Sequence, residues 1–334
     1  MVKRSSFLAS SGCFLISTDV LATRAQAEPR APLEIDVLRQ IPPSVLDRLS
    51  FDAMPDAEGD MQLNQGHWTG VAFQRVAMPL FWVGAAENNQ EKIDGAWRAV
   101  DAAFAHQNAD GSFASGAGSA MQPTDIAFWL EALGHALVVL QESPLASANA
   151  SRTRETLPKI ATSAAWLQQP DHFSVLVRGD HLSVNRMFTD ANAFATCGLL
   201  LGNRTYVETA RQLRTSALAS QTSQGVFLEN GGFDSSYQAV SLLHASYLQL
   251  CMPDSELLSA LQSGLNRELE AVNSDGTIDV SQNTRTGRGQ EQIFGHAKQV
   301  DQRSVILALF YCGILLGRSD AIDAAKRVVQ HAFH

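Results

Sequence analysis

Ten stretches of this chain place apolar residues three and four positions apart, and polar, glycine-rich loops separate them. They are Trp68–Val83, Lys92–Ala105, Asp125–Val139, Leu157–Leu167, Ala191–Leu201, Tyr206–Ala219, Ser236–Leu250, Glu256–Val272, Val300–Leu316 and Ala321–Ala332. In Asp125–Val139, for example, Ile126, Leu130, Leu133 and Leu137 fall on one helical stripe. Alternation with period two is nearly absent, and Phe173–Arg178 is the best short strand candidate. That patterning predicts an all-α fold. With 334 residues and 45% hydrophobic content, the chain can bury a sizeable core and is too apolar to be disordered.

The loops share a grammar. Gln107-Asn108-Ala109-Asp110-Gly111-Ser112-Phe113 follows one helix and Asn273-Ser274-Asp275-Gly276-Thr277-Ile278 another. In a third, Gln224-Gly225-Val226-Phe227 precedes Gly231-Gly232-Phe233-Asp234. Each Asp-Gly or Gly-Gly supplies a residue that tolerates positive φ, which stops a helix and turns the chain. A more apolar helix follows each loop, a rhythm of about five helical hairpins.

One segment of this rhythm runs from a helix through Gln107–Phe113 into Thr124-Asp125-Ile126-Ala127-Phe128-Trp129-Leu130-Glu131-Ala132-Leu133. It resembles the α/α toroid fold of polysaccharide lyases, several glycosidases, prenyltransferase subunits and terpene cyclases. The resemblance spans roughly residues 65–333 and implies an incomplete (α/α) toroid, or barrel. It implies inner helices starting near 124, 190, 235 and 300 at one rim, where the incoming loops form a substrate cleft. Residues 65–334 are then the toroid catalytic domain, and residues 28–64, with little periodicity, an N-terminal extension. Gln65-Gly66-His67-Trp68 resembles the Asn-His-containing stretch of alginate lyases.

Residues 1–27 read as a signal peptide: Lys3 and Arg4, an apolar stretch from Phe7 to Ala22, then Ala25-Gln26-Ala27 as a small-residue cleavage site. Export to the periplasm or medium is the expectation. No run of 18 apolar residues occurs, so no membrane span is expected. Cys13, Cys197, Cys251 and Cys312 form no CxxC pair and no zinc-finger spacing; the last three read as buried free thiols. No metal and no cofactor are expected. P-loop, Rossmann, nucleophile-elbow, HExxH and Asp-rich diphosphate motifs are absent.

Net charge is −9, which argues against nucleic acid as a partner. Without residues 1–27 the balance is 22 basic against 33 acidic residues. Between Arg285 and Arg303, however, four basic residues face two acidic ones, a local field suited to an anionic glycan.

The approaches to the expected inner helices are chemically dense. The first carries Gln122, Thr124 and Asp125; the second His172, Arg178, His181, Asn185, Arg186, Asp190 and Asn192. The third carries Glu229, Asn230, Asp234, Ser235 and Tyr237, and the last Asn283, Arg285, Arg288, Glu291, His296, Lys298, Asp301 and Arg303. Some have simpler roles available. Thr124, Asp234 and Ser235 sit where helix N-caps belong, Asp125 and Asp190 suit a cap or first turn, and Asn185 and Asn192 suit turns. His135 and His244 lie within apolar faces and read as satisfied core histidines. Trp68, Trp82, Trp97, Trp129 and Trp166 could stack on sugars, but all lie within helical patterns, where core packing is the better explanation.

Three chemistries remain open. A polysaccharide lyase cleaves a uronate-containing polysaccharide by β-elimination, which requires neutralising the carboxylate, removing the α-proton and protonating the leaving oxygen. The toroid-lyase resemblance assigns Tyr237, His296, His181, Asn185 and Asn192 to catalysis. It assigns Arg186, Asp234, Arg285, Arg288, Lys298, Arg303 and Asp125 to substrate binding. A glycoside hydrolase on the same scaffold needs a carboxylate pair, from Asp125, Asp190, Glu229, Asp234, Glu291 and Asp301. The third is a non-catalytic protein of glycan binding or polysaccharide biosynthesis. The lyase reading is favoured, with an acidic polysaccharide or oligosaccharide as substrate.

Overall fold

The computed structural model describes residues 32–50, 53–61, 68–116, 118–119, 121–289, 291–293 and 295–333. The expected signal peptide with Cys13, and Gln65-Gly66-His67, lie outside these residues. The described chain is all-α. It runs α1 (Glu34–Leu38), α2 (Pro43–Ser50), α3 (Val71–Gln74), a 3-10 turn Arg75–Ala77, and α4 (Pro79–Glu87). Then come α5 (Gln90–Ala105), α6 (Gln122–Glu142), α7 (Ala146–Leu167), α8 (Pro170–Asp180), α9 (Val184–Leu201) and α10 (Arg204–Ala219). They are followed by α11 (Ser235–Cys251) and α12 (Ser255–Leu269), and the chain ends with α13 (Gln302–Leu316) and α14 (Ser319–Phe333). Between α12 and α13 lies a small antiparallel hairpin, β1 (Gln292–Ile293) and β2 (His296–Ala297).

Two kinds of helix organise the core. α9 buries every residue from Phe188 to Gly198, and α13 every residue from Val305 to Gly313. A helix buried on all sides must be surrounded by other elements. α5, α10, α12 and α14 are amphipathic instead and cover the buried ones. Each apolar helix packs on the helix that follows it: α4 on α5, α6 on α7, α9 on α10, α11 on α12, α13 on α14. The apolar helices also neighbour one another in chain order, α4–α6–α9–α11–α13, and α1 packs on α13, α4 and α6. α6 is long and apolar enough to cross a membrane by length and composition, and 83% of its apolar window is buried inside the protein.

The loop grammar is a structural repeat, and it is wider than the letters show. In the Gly111 loop, Asn108 N–H donates to Ser112 O (2.8 Å) and Gly111 N–H to Asn108 O (3.0 Å). The same two bonds recur at Thr222/Gly225/Val226, at Asn273/Gly276/Thr277 and at Asp56/Gly59/Asp60. Each glycine has φ between +80° and +96°. A Cβ there would lie 2.2–2.3 Å from a carbonyl oxygen of a covering helix: Arg98 of α5, Thr162 of α7, Ser263 of α12 and Arg327 of α14. Backbone sign and space therefore both require glycine. The loop before α9 lacks this glycine and carries α8 instead.

Several boundaries differ from the sequence reading. Phe173–Arg178 is helical within α8, which starts with Pro170 at its first turn. α9 begins at Val184 rather than near 190, so Asn185 and Arg186 belong to its first turn. Ile35, Val37, Leu38, Ile41, Leu46 and Leu49 are buried in the same core as α4–α6. Cys197, Cys251 and Cys312 are buried, and burial pushes the Cys197 and Cys312 thiols up to about 12.

Candidate active site

The approaches to α11 and α13 meet in a charged cluster around Tyr237, in the first turn of α11. Its hydroxyl donates to the Glu291 carboxylate at 3.1 and 3.2 Å and accepts a hydrogen bond from Lys298 Nζ. Lys298 lies 3.5 Å from Glu291. Arg285 spans two carboxylates, holding Glu229 through one guanidinium nitrogen and Glu291 through the other at 2.6 Å. Arg285 and Lys298 both lie over the Tyr237 ring, 4.7 and 4.3 Å from its centroid. The arginine of this Gly-rich loop is thus paired with two carboxylates.

Electrostatics sort these groups into donors and acceptors. Burial, reinforced by Glu291 against the opposing Arg285, pushes the Tyr237 phenol well above its ordinary value, so it stays protonated. Burial pulls the Lys298 ammonium below the usual lysine value despite Glu291 beside it. Glu229 is pushed up by burial, opposed by Arg285; its Oε1 also accepts from Ser183 at 3.1 Å while its Oε2 has no partner.

The remaining expected site residues divide. Asp234 is fully buried and acts as a structural clamp. It caps α11 through Tyr237 N–H and accepts from Arg285 N–H (2.9 Å), Thr286 N–H (2.8 Å) and Thr286 Oγ1 (2.6 Å), which fixes the Arg285 loop. Asn192 is likewise buried and staples α9 to α11, donating to Phe188 O (3.0 Å) and His244 O (2.7 Å), while its Oδ1 has no partner among the described residues. Asn185 is buried with an unpartnered Oδ1. Arg186 is held by Asp180 at 3.0 Å, and Asp180 also accepts from Thr124 at 3.2 Å. Asp190 is buried, and burial pushes its carboxyl well above the usual range, with Asp180 adding to the effect and Arg186 opposing it.

His181 and His296 are exposed. The first donates from Nδ1 to Arg178 O (2.7 Å), and the ring of the second makes no hydrogen bond or ion pair among the described residues. Neither joins the Tyr237 cluster. Arg288 is exposed and braces its own loop through Ser281 O and Asn283 O. Arg303 is exposed at the start of α13, and Asp125 is buried at the start of α6. Trp97 and Trp129 are wholly buried, while Trp68 stacks on His106 and Trp166 on His172 at 3.9 and 3.6 Å.

A second polar cluster, deeper between the apolar helices, was not legible as a site. His244 on α11 donates from Nδ1 to Glu131 Oε1 on α6 at 3.2 Å. His135, one turn beyond Glu131, bonds Glu34 of α1 at 2.5 Å and stacks on Tyr247 at 3.9 Å; Glu34 also accepts from Tyr311 at 2.7 Å. Arg75 approaches from the 3-10 turn, 4.3 Å over the Phe128 ring. Burial raises the cost of ionising Glu131, but His244, His135 and Arg75 outweigh it and hold the carboxylate below its usual range.

Among the described residues, no group of three or more His, Cys, Asp or Glu has metal-holding geometry. An open depression of about 690 Å³, lined by Thr222, Gln224, Phe233, Arg267, Glu270 and Gln282 among others, contains none of the residues of either cluster. No protein-family model matches this chain, and no curated protein is significantly similar to it.

Proposed function

We propose that this protein is an exported polysaccharide lyase with an incomplete (α/α) toroid, cleaving a uronate-containing polysaccharide by β-elimination at Tyr237. The fold part rests on the ordered neighbours α4–α6–α9–α11–α13, each covered by its following helix, and on the fourfold glycine loop. The observation that carries the chemistry is the Tyr237 hydroxyl held between Lys298 and Glu291 with Arg285 alongside.

Elimination needs a base and an acid, together with charge neutralisation. Lys298, with its ammonium destabilised by burial, serves as base in its amine form and takes the proton α to the uronate carboxylate. The C–H electron pair becomes the new carbon–carbon double bond as the glycosidic C–O bond breaks. Tyr237, kept protonated, gives its proton to the leaving oxygen and recovers one from the Lys298 ammonium. Arg285 neutralises the substrate carboxylate. Because Lys298 and Tyr237 touch, proton removal and delivery occur on one face of the sugar. In this scheme His181 and His296 have no catalytic part, and Lys298 moves from binding to catalysis.

Incubating the purified protein with uronate-containing glycans and following the ultraviolet absorbance of an unsaturated uronate tests this. Tyr237→Phe abolishes that signal while circular dichroism stays unchanged; full activity in the variant removes Tyr237 from the mechanism. A second reading, glycoside hydrolysis, is favoured by one feature: Arg285 holds Glu229 and Glu291 on either side of a single guanidinium, with Glu229 biased towards its acid form. New reducing ends without the chromophore select it, and glycan retention without either product selects a binding protein.

A further inference from the structure

The two loops that carry Glu229 and Arg285 also wall a separate depression. Glu229 and Gly232 exchange backbone hydrogen bonds at 2.9 and 3.2 Å, and Thr284 N–H ties the second loop to Phe233 O at 3.0 Å. Gly232 and Phe233 of the first loop and Gln282 of the second line the open depression of about 690 Å³, which holds no residue of the Tyr237 cluster. Small-molecule sites span about 300–1,000 Å³, so its size suits a ligand.

The depression has an apolar floor. Val226, Phe233 and Ala271, with Leu228 against them, form a small apolar cluster apart from the main core, and Val226, Leu228 and Phe233 line the depression. Arg267, in the last turn of α12, lies over the Phe233 ring, 3.9 Å from its centroid. It is held there by Glu270 Oε2 at 2.7 Å and Gln282 Oε1 at 2.5 Å. Three planar polar groups are thus fixed around the floor. Arg267 and Glu270, the two charged residues of the lining, cancel each other. Some polar atoms remain open. Glu270 Oε1, Gln282 Nε2 and the Gln224 amide make no hydrogen bond among the described residues, and all three residues are exposed.

This combination selects a class of ligand. A carboxylate or phosphate calls for donors and surplus positive charge, and a metal ion for acceptors alone. A sugar hydroxyl donates and accepts at once, and a pyranose ring adds an apolar C–H face. Glu270 Oε1 is an acceptor, Gln282 Nε2 a donor, and the Gln224 amide is both.

We propose that this depression is a saccharide-binding site, in which a sugar ring rests on the apolar floor and its hydroxyls bond Gln224, Glu270 and Gln282. Because the lining has no net charge, it reads hydroxyls and not a carboxylate. The saccharide class follows from the lining itself. That the sugar belongs to the glycan cleaved at Tyr237 rests on the lyase reading.

The test uses the full chain and carboxyl-reduced, neutral tetrasaccharides prepared from alginate, hyaluronan and polygalacturonate, titrated by calorimetry. These ligands lack the carboxylate that elimination requires, so a lyase leaves them intact. Loss of two neutral hydrogen-bonding amides predicts that Gln224→Ala with Gln282→Ala weakens binding about 10-fold. Both residues are exposed, and unchanged circular dichroism verifies the fold of the double variant. As an independent readout on the unaltered protein, the bound sugar slows hydrogen exchange in residues 222–228. Equal affinity in the double variant, unaltered exchange in that segment, or no binding of any neutral tetrasaccharide overturns the site. The two proposals fail separately. Glutamine-dependent binding without unsaturated product from the parent uronates keeps this site and discards the lyase, whereas unsaturated product without neutral-sugar binding does the reverse.

Discussion

Arg285→Met separates the ion-pair network around Tyr237 from its surroundings. Glu229 is only 2% exposed at its side chain, its Oε2 has no partner, and its Oε1 keeps just the Ser183 hydroxyl once Arg285 is gone. Removing one partner of a buried ion pair costs about 3–5 kcal/mol. Arg285 is about a quarter exposed and Glu229 can escape by protonation, so the lower end, about 3 kcal/mol, applies here. With an unfolding entropy of about 2.1 cal/mol/K per residue over about 300 residues, that lowers Tm by about 5 °C. The sign with pH follows from Glu229. Burial already raises its folded-state pKa above the ordinary 4.5, so its favourable share is present below that value and is lost as pH rises through the folded pKa. Without Arg285 the folded pKa rises further. The deficit of Arg285→Met is therefore largest at neutral and alkaline pH and shrinks towards pH 4.5. Adding Glu229→Gln to Arg285→Met recovers most of the loss at pH 7. Denaturant unfolding of the four proteins of this cycle at two pH values measures it. A loss below about 1 kcal/mol, or one that the second substitution leaves untouched, refutes the coupling.

Three further outcomes follow from buried groups and glycines. Glu268 is fully buried with both carboxylate oxygens unpartnered, and burial pushes its carboxyl well above the ordinary range. Glu268→Met therefore stabilises the protein by about 1–3 kcal/mol at pH 7 in chemical unfolding, and the gain fades below pH 4.5 where the unfolded carboxyl is also protonated; a loss at pH 7 contradicts this. Gly225→Ala and Gly231→Ala replace glycines of similar positive φ in one loop, but only Gly225 has a carbonyl 2.2 Å from the added Cβ. The second change should cost about 1 kcal/mol and the first clearly more, so equal melting shifts would refute the packing role of the repeat. His135 is raised by Glu34 despite burial, so this latch on α1 stabilises below pH 6.5 and weakens as pH rises through the folded value. Hydrogen exchange of the Val37 and Leu38 amides should accelerate with pH beyond the intrinsic rate in wild type, and Glu34→Gln should remove that excess.

Much of the molecule was legible in its letters, and the misses have identifiable causes. The three-and-four spacing located the long helices because one face of each must reach the core. Phe173–Arg178 misled because six residues rich in valine and phenylalanine fit a strand as well as a helix, while Pro170, a helix-start residue, lay outside that window. The Gly59 loop escaped because its neighbours Asp56 and Asp60 share only the backbone bonds, not the residues, of its counterparts. Tyr237, Arg285, Lys298 and Glu291 were found as dense polar approaches to helices. The same density included Asp234 and Asn192, whose bonds turn inward to the backbone.

The sequence by itself determined an all-α chain with glycine turns at set places, because periodicity and positive φ are local properties that a residue carries wherever the chain goes. Which polar residues meet was decided only by tertiary structure. Arg75, Glu131 and His244 come from three helical segments spread over about half the chain, and each alone reads as an isolated polar residue in an apolar stretch. Their juxtaposition depends on how α6 and α11 are each set against α9 and on the turn after α3, and local spacing does not encode the crossing of helices distant in the chain. For the same reason the pairing of Arg285 with Glu229 and Glu291 could be recognised only once the approaches to α11 and α13 had been placed together.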